Sequence, residues 1–302
     1  MVDNTRIHDM TSTRQFQTPS CADIDQKRPS INDNFVRRAL TLGALRTTAT
    51  LYKHPGVFAV LISKWHLVKT GPDVRLSEAV TMRFITANTS IPVPKVHCSF
   101  IYKNRTYIVM ERVQGQTLHA VWGTLSEKSR QDLLRQLKLM FDELRAIEQP
   151  RDVGVQSCVG GSLYDSRIPH CRNRFGPFKN IQDFHLWLRE EHQLSSIEEK
   201  LDHHQDWREI KEMAVRQDGD WPPPVFTHGD LNPFNILVRN GKIVSIIDWE
   251  FSGWYPSYWE YTSAWYGNRL RPYWQNVLAQ FLEPFPDDLK MEITRQKWWG
   301  DI

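Results

Sequence analysis

Between residues 57 and 111 the apolar positions fall in short runs, 57–62, 65–70 and 106–111, broken by Gly, Pro and Asn. That is the signature of strands rather than helices. Residues 49–52 are read as a further strand. One helix is expected to interrupt them, with Ser77 as its N-cap, Glu78 in its first turn and Val80 and Phe84 on its apolar side, ending at Asn88 before "IPVP" at 91–94. Beyond Glu111 the period changes. Ser126 caps a helix in which Leu133, Leu137, Met140, Leu144 and Ile147 recur at spacings of four and three, one apolar stripe facing a core. An irregular stretch follows over 154–178, then a helical segment from Ile181 to about Leu201. The "WPPPVF" at 221–226 ends a further helical stretch, because three prolines cannot continue one, and begins a strand.

The pattern gives an α+β chain, a small antiparallel sheet with one helix followed by a larger, mainly helical part. Residues 1–33 are polar and aperiodic and form an expected N-terminal arm; 34–112 form the first lobe and 113–302 the second. At 302 residues two lobes sharing a cleft fit better than one core, which stops growing near this size.

Composition narrows the partners. With 40% hydrophobic residues, 24% charged and a formal charge of +3, the chain carries no basic block to suit nucleic acid or an anionic membrane, so a small molecule is the expected partner. Cys21, Cys98, Cys158 and Cys171 form no C-x-x-C pair, and Cys158 with His170 and Cys171 matches no common metal spacing, so free thiols are expected. No apolar stretch approaches 18 residues and no signal-peptide pattern opens the chain. Asp3, Asp9, Asp23 and Asp25 disfavour a mitochondrial presequence, and a cytoplasmic protein is expected.

The stretch "THGDLNPFNILV", 227–238, interrupts a strand with His228, Asp230, Asn232 and Asn235. It runs into "RNGK", where Asn240 and Gly241 signal a two-residue hairpin. With that loop, Arg239 pairs with Lys242, Leu237 with Val244 and Asn235 with Ile246. Asn235 and Asp248 then project from one face roughly 7–8 Å apart, near enough to share one hard cation. Asp230, on the Gly- and Pro-marked loop, stands beside that cation without binding it, placed to accept a hydroxyl proton. An acid, an Asn and an Asp so arranged are the parts phosphoryl transfer needs. The competing reading has Asp230 and Asn235 capping their own turn.

"HGDLNPFN" resembles the catalytic loop of the aminoglycoside phosphotransferase and choline kinase superfamily of small-molecule kinases, and "IIDWEFSG" its metal-binding segment. "LVKTG" is similar to the strand bearing the nucleotide lysine, "LSEAVTMRFI" to the helix bearing its glutamate partner, and "MERVQGQTL" to the hinge. "GWYPSYWEY" is similar to a segment of the family's large fungal branch. The resemblance covers roughly 49–266 and implies a two-lobed, protein-kinase-like fold binding ATP and Mg2+ and phosphorylating a hydroxyl of a small molecule. It implies that Asp230 is the catalytic base, Asn235 and Asp248 are magnesium ligands, Lys69 contacts the nucleotide phosphates, Glu78 orients Lys69, and Glu111 and Val113 lie at the adenine hinge. Glu250 matches an acid of choline kinase-like members and equally suits a structural role. The chain departs from the protein-kinase pattern in lacking G-x-G-x-x-G, with "YKHPG" and Gly56 in its place.

Two other functions compete with the enzyme. A silent nucleotide-binding module is disfavoured by the intact Lys69, Asp230, Asn235 and Asp248, and a protein kinase by the absence of an A-P-E signature. Trp249, Trp254, Tyr255, Tyr258, Trp259, Tyr261, Trp265 and Tyr266 suit core packing better than a cage for a quaternary amine. Asp287, Asp288 and Glu260 are the candidate acids for a polycationic substrate. Asp165 and Arg167, in the irregular stretch, are placed either near the cleft or in a salt-bridged structural loop.

Overall fold

The computed structural model describes residues 30–51, 59–168, 174–193 and 205–300. Most of the expected arm, the "YKHPG" loop with Gly56, the His170–Cys171 pair and the end of the helical segment after Ile181 lie outside them.

The first lobe opens with α1 (Phe35–Leu51), capped where the Asn34 side chain accepts the Arg37 N–H at 2.9 Å. Residues 49–51, part of the run 49–52 read as a strand, are the end of this helix. Just before them Thr47 and Thr48 return their hydroxyls to the Ala44 carbonyl at 2.8 and 2.9 Å, the bond by which threonine is accommodated in a helix. There follow β1 (Ala59–Leu61), β2 (His66–Gly71), α2 (Leu76–Asn88), β3 (Val96–Tyr102) and β4 (Arg105–Glu111), the strands forming an antiparallel sheet in the order β1-β2-β4-β3. α2 starts one residue before Ser77, which caps nothing; the residue at its N-cap is Arg75, without a side-chain bond. Its register is set instead by burial of Leu76 and by the ion pair of Glu78 with Lys69. β3 went unread because "HCS" breaks its apolar alternation, yet Cys98, Ser99 and Phe100 are all buried and Lys103 and Asn104 make the turn into β4 with φ of 48° and 56°.

The second lobe contains β5 (Gln116–Thr117), α3 (Leu118–Trp122), α4 (Glu127–Arg145), α5 (Ile181–Leu188), α6 (Gln205–Asp218), β6 (Val225–Thr227), β7 (Ile236–Arg239), β8 (Lys242–Ile246), β9 (Gly253–Tyr255), α7 (Trp259–Gly267), α8 (Pro272–Leu278) and α9 (Pro286–Trp299). α4 is capped by Ser126 and buries Leu133, Leu137 and Leu144 of the expected stripe, with Met140 and Ile147 packed against the core. That core is continuous between the lobes, running from Met82 and Ile85 of α2 through Met110 of β4 to Leu137, Ile236, Ile246 and Trp249. Among the described residues no helix is long and apolar enough to cross a membrane.

The β7–β8 hairpin turns at Asn240 and Gly241, φ 51° and 72°, and Arg239 pairs with Lys242 as expected. The register then slips. Val238 faces Ile243, but Leu237 faces Ser245 and Ile236 faces Ile246, so Val244 is an extra residue in the ladder. α4 supplies a reason: the Gln136 side chain accepts the Ile243 N–H at 3.0 Å and donates to the Gly241 carbonyl at 3.1 Å, bonds that a regular ladder would not share with a helix.

Candidate active site

Lys69, central on β2, is the charged hub of the cleft. Its ammonium lies 2.9 Å from the Glu78 carboxylate of α2, 2.6 Å from Asp248 and 3.6 Å from Glu250. Burial alone would lower the Lys69 pKa, but the three carboxylates outweigh it and hold the group charged, above its ordinary range. Three acids around one cation leave an excess of negative charge. Glu250 registers it: burial first, then Asp248 and Glu78 against the pull of Lys69, push its carboxyl up to about 7.

Lys69, Glu78 and Asp248 stand at the border of an apolar cavity of about 220 Å³ walled by Leu67, Met82, Met110 and Leu237, with Glu111 and Val113 where β4 leaves the sheet. All four nucleotide residues drawn from the sequence therefore face one space, together with Asp248.

The loop after β6 is held from below. His228 is fully buried; its Nδ1 accepts the Asp230 N–H at 3.1 Å, which fixes Nε2 as the donor to the Ile247 carbonyl at 3.0 Å. Glu260, buried on α7, accepts the His228 N–H at 2.6 Å and the Gly229 N–H at 3.3 Å. Gly229 has φ of +83°, and a Cβ there would come within 2.7 Å of the Phe251 carbonyl, so only glycine fits. The turn presents Asp230. Its Oδ2 accepts from Asn232 at 3.1 Å and Asn235 at 2.9 Å, and its Oδ1 faces Arg167 Nη1 at 3.5 Å.

The slip in the hairpin changes the expected pairing of Asn235 with Asp248. Asn235 lies opposite Ile247, whose N–H it accepts at 2.9 Å, and Asp248 leaves the strand with φ of +67°. The two side chains are thus not alternating members of one ladder face: the Asn235 amide turns to Asp230 and Asp248 turns to Lys69. The donor set still suits a hard cation. Carboxylate oxygens of Glu78, Asp248 and Glu250 lie within 4.8 Å of one another, the oxygen-only chemistry magnesium takes.

Asp165 and Arg167 do reach the centre. Asp165 receives Arg167 through Nε at 2.8 Å and Nη2 at 2.6 Å, and the guanidinium, 4.9 Å from the Phe251 ring centre, also donates to the Gly229 carbonyl. The aromatic series makes no cage: Trp249, Trp254, Tyr255, Tyr258 and Trp259 are buried, Tyr261 and Trp265 pack on the core, and Tyr266 lies under Arg269. Of the candidate acids, Glu260 holds the loop, Asp288 pairs with Arg216 at 2.7 Å, and Asp287 lines a different cavity with Glu209, Glu212 and Lys290. The anchoring by Glu260 had no signal in the sequence, because it joins segments about 30 residues apart through a contact that only folding creates.

The model of the phosphotransferase enzyme family, APH, matches residues 70–291. Among curated proteins none matches by sequence. Among solved structures, a thermostable mutant of the aminoglycoside phosphotransferase APH(4)-Ia in ternary complex with ADP and hygromycin B superposes with a TM-score of 0.55 at 16% identity, over 80% of this chain and 81% of that one. The APH(4)-Ia crystal structure itself gives 0.50 at 14%, over 84% and 88%. At these identities the likeness is one of fold, the two-lobed kinase-like α+β architecture.

Proposed function

This chain belongs to the phosphotransferase enzyme family, and on that ground we propose that it transfers the terminal phosphoryl group of ATP, with Mg2+, to a hydroxyl group of a small molecule. The observation that carries the reading is the meeting of Lys69, Glu78 and Asp248 beside the apolar cavity. An apolar cavity bordered by a largely buried cation and acids suits a nucleotide base against its apolar wall and phosphates beside the charges.

In this reading residues 34–112 form the nucleotide lobe and 113–302 the catalytic lobe, in a protein of the cytoplasm. The fungal branch rests on residues 253–261 alone. Glu111 and Val113 border the adenine, and Lys69, steered by Glu78, meets the phosphates. Magnesium, held by Asp248 with Asn235 or Glu250, would neutralise phosphate charge. Asp230 accepts the acceptor's proton through Oδ1, since Oδ2 is occupied by the two asparagine amides. Those amides and the His228–Glu260 support keep the carboxylate aimed, and positioning is most of what this reaction asks of a protein.

An ATP-consumption screen against polyols, sugars, amino alcohols, choline-like amines and aminoglycosides tests the proposal. Asp230→Asn is the control, expected to lower turnover by roughly 10² to 10⁴ while leaving ATP affinity nearly unchanged. Binding of magnesium nucleotide with no turnover on any hydroxyl acceptor would reject the enzyme in favour of a silent binding module.

A further inference from the structure

Arg167 is held on several sides. Its Nε donates to one oxygen of Asp165 at 2.8 Å and its Nη2 to the other at 2.6 Å, while that carboxylate, on a residue 2% exposed, also accepts the Arg167 backbone N–H at 2.9 Å. Nη2 donates again to the Gly229 carbonyl, and the guanidinium stands 4.9 Å from the centre of the Phe251 ring. Phe251 lies three residues past Asp248, and its ring centre is 5.7 Å from that of Tyr164. One side chain of the irregular segment thus touches both the loop that carries Asp230 and the segment that carries Asp248. Gly267 leaves it room, since a Cβ there would lie 3.2 Å from Nη1.

The remaining nitrogen faces Asp230. Nη1 stands 3.5 Å from Oδ1, and among the described residues no other donor reaches that oxygen. The amides of Asn232 and Asn235 both bind Oδ2, so they fix one end of the carboxylate and leave the other to swing about it. At 3.5 Å the hold on Oδ1 comes from the charge more than from a hydrogen bond. It is still enough to favour one carboxylate plane, because the guanidinium itself is pinned by Asp165. An ionised carboxylate oxygen has two lone-pair directions, so Oδ1 can accept from a hydroxyl while Arg167 faces it. Both side chains keep access to solvent, 27% for Arg167 and 23% for Asp230, which leaves that approach open.

We propose that Arg167 is a positioning residue of the transfer: anchored by Asp165, it holds Asp230 Oδ1 in the orientation that meets the acceptor hydroxyl, and through Gly229 and Phe251 it keeps the Asp230 loop and the Asp248 segment in register. The role rests on the phosphotransferase reading. Its competitor is an Asp165–Arg167 pair that braces the fold and has no bearing on the reaction.

Steady-state kinetics of the full chain on an acceptor found in the ATP-consumption screen separate the two. Arg167→Met keeps an apolar stem against Phe251 and removes every donor. Its kcat is expected to fall about 10- to 100-fold, with a KM for ATP within about twofold of wild type. Placed in Asp230→Asn, the same change should lower kcat by less than about twofold, because a residue that acts through Asp230 then has nothing left to position. Equal losses in the two backgrounds overturn the proposal in favour of the brace. Arg167→Met also strands the buried Asp165 carboxylate, so Asp165→Asn/Arg167→Met is measured beside it and should repeat the loss in kcat with a urea midpoint closer to wild type. Wild-type kcat in that double variant overturns the role of Arg167 while leaving the phosphotransferase standing. Binding of magnesium nucleotide by the wild type without turnover of any acceptor overturns both.

Discussion

Lys69 and Asp248 are separated by 179 positions of chain, yet their Nζ and Oδ1 atoms meet at 2.6 Å. The contact joins an inner strand of the first-lobe sheet to the segment following β8 in the second. Asp248→Asn keeps a hydrogen-bonding group at this junction but removes a charge. It is expected to weaken magnesium-dependent nucleotide binding about tenfold or more while leaving the fold intact. Nucleotide titrations with and without magnesium measure this, and identical metal dependence in both proteins would take Asp248 out of the metal site.

Lys69 and Glu78 form a mostly buried pair, their side chains 16% and 3% exposed. Changing either to Ala should impair the same step, with a coupling of roughly 1–3 kcal/mol in a double-mutant cycle on kcat/KM. Additive losses would mean that Glu78 does not act through the lysine.

Glu260 holds the backbone N–H groups of His228 and Gly229 from α7, all three residues lying in the interior or its margin. Removing its carboxylate in Glu260→Ala strands two buried donors, and a loss of roughly 2–4 kcal/mol in urea unfolding is expected. Glu260→Gln, which still offers one acceptor, should lose about half as much. Equal stability of Ala and wild type would show that water replaces the carboxylate at no cost.

His185 lies buried between the Gln217 carbonyl, to which Nδ1 donates at 2.9 Å, and the Tyr258 hydroxyl, which donates to Nε2 at 2.8 Å. Burial, reinforced by Arg189 and Arg295, holds its pKa down at about 3 against the Gln217 bond. The unfolded chain binds this proton near pH 6.5 and the folded one only near 3, so stability from this group is complete above about 6.5 and is lost as pH falls through that window. The loss amounts to about 4–5 kcal/mol. His185→Gln should flatten the pH dependence of unfolding free energy between those limits relative to wild type; parallel curves would show that His185 already titrates normally.

The sequence was informative where chemistry and local structure coincide. Asp230, Asn235 and Asp248 break an apolar strand pattern, and the Asn240–Gly241 turn is a purely local signal, so the loop and hairpin could be drawn before folding. The bulge at Val244 could not, because the side chain that catches Ile243 N–H belongs to Gln136, 107 residues earlier. The end of α1 was misread as the start of a strand at 49–52 for a related reason: the threonines at 47, 48 and 50 are poor local evidence for a helix. Glu78 was placed in its helix by pattern, but the start of that helix follows the ion pair with Lys69 rather than a cap. Arg167 was placed from its position in the irregular stretch either near the cleft or in a salt-bridged loop, and the structure shows it in both roles, paired with Asp165 and in contact with Asp230.

The bare turn at Gly229 leaves no room for a side chain immediately before Asp230. The guanidinium beside Asp230 arrives instead from Arg167, a segment 62 residues upstream of that turn. The turn that presents Asp230 and the charge that neighbours it therefore come from two separate segments of the chain. An engineered exchange of the irregular segment would retune the electrostatic setting of Asp230 and, because Arg167 also donates to the Gly229 carbonyl, would release the turn from that bond as well.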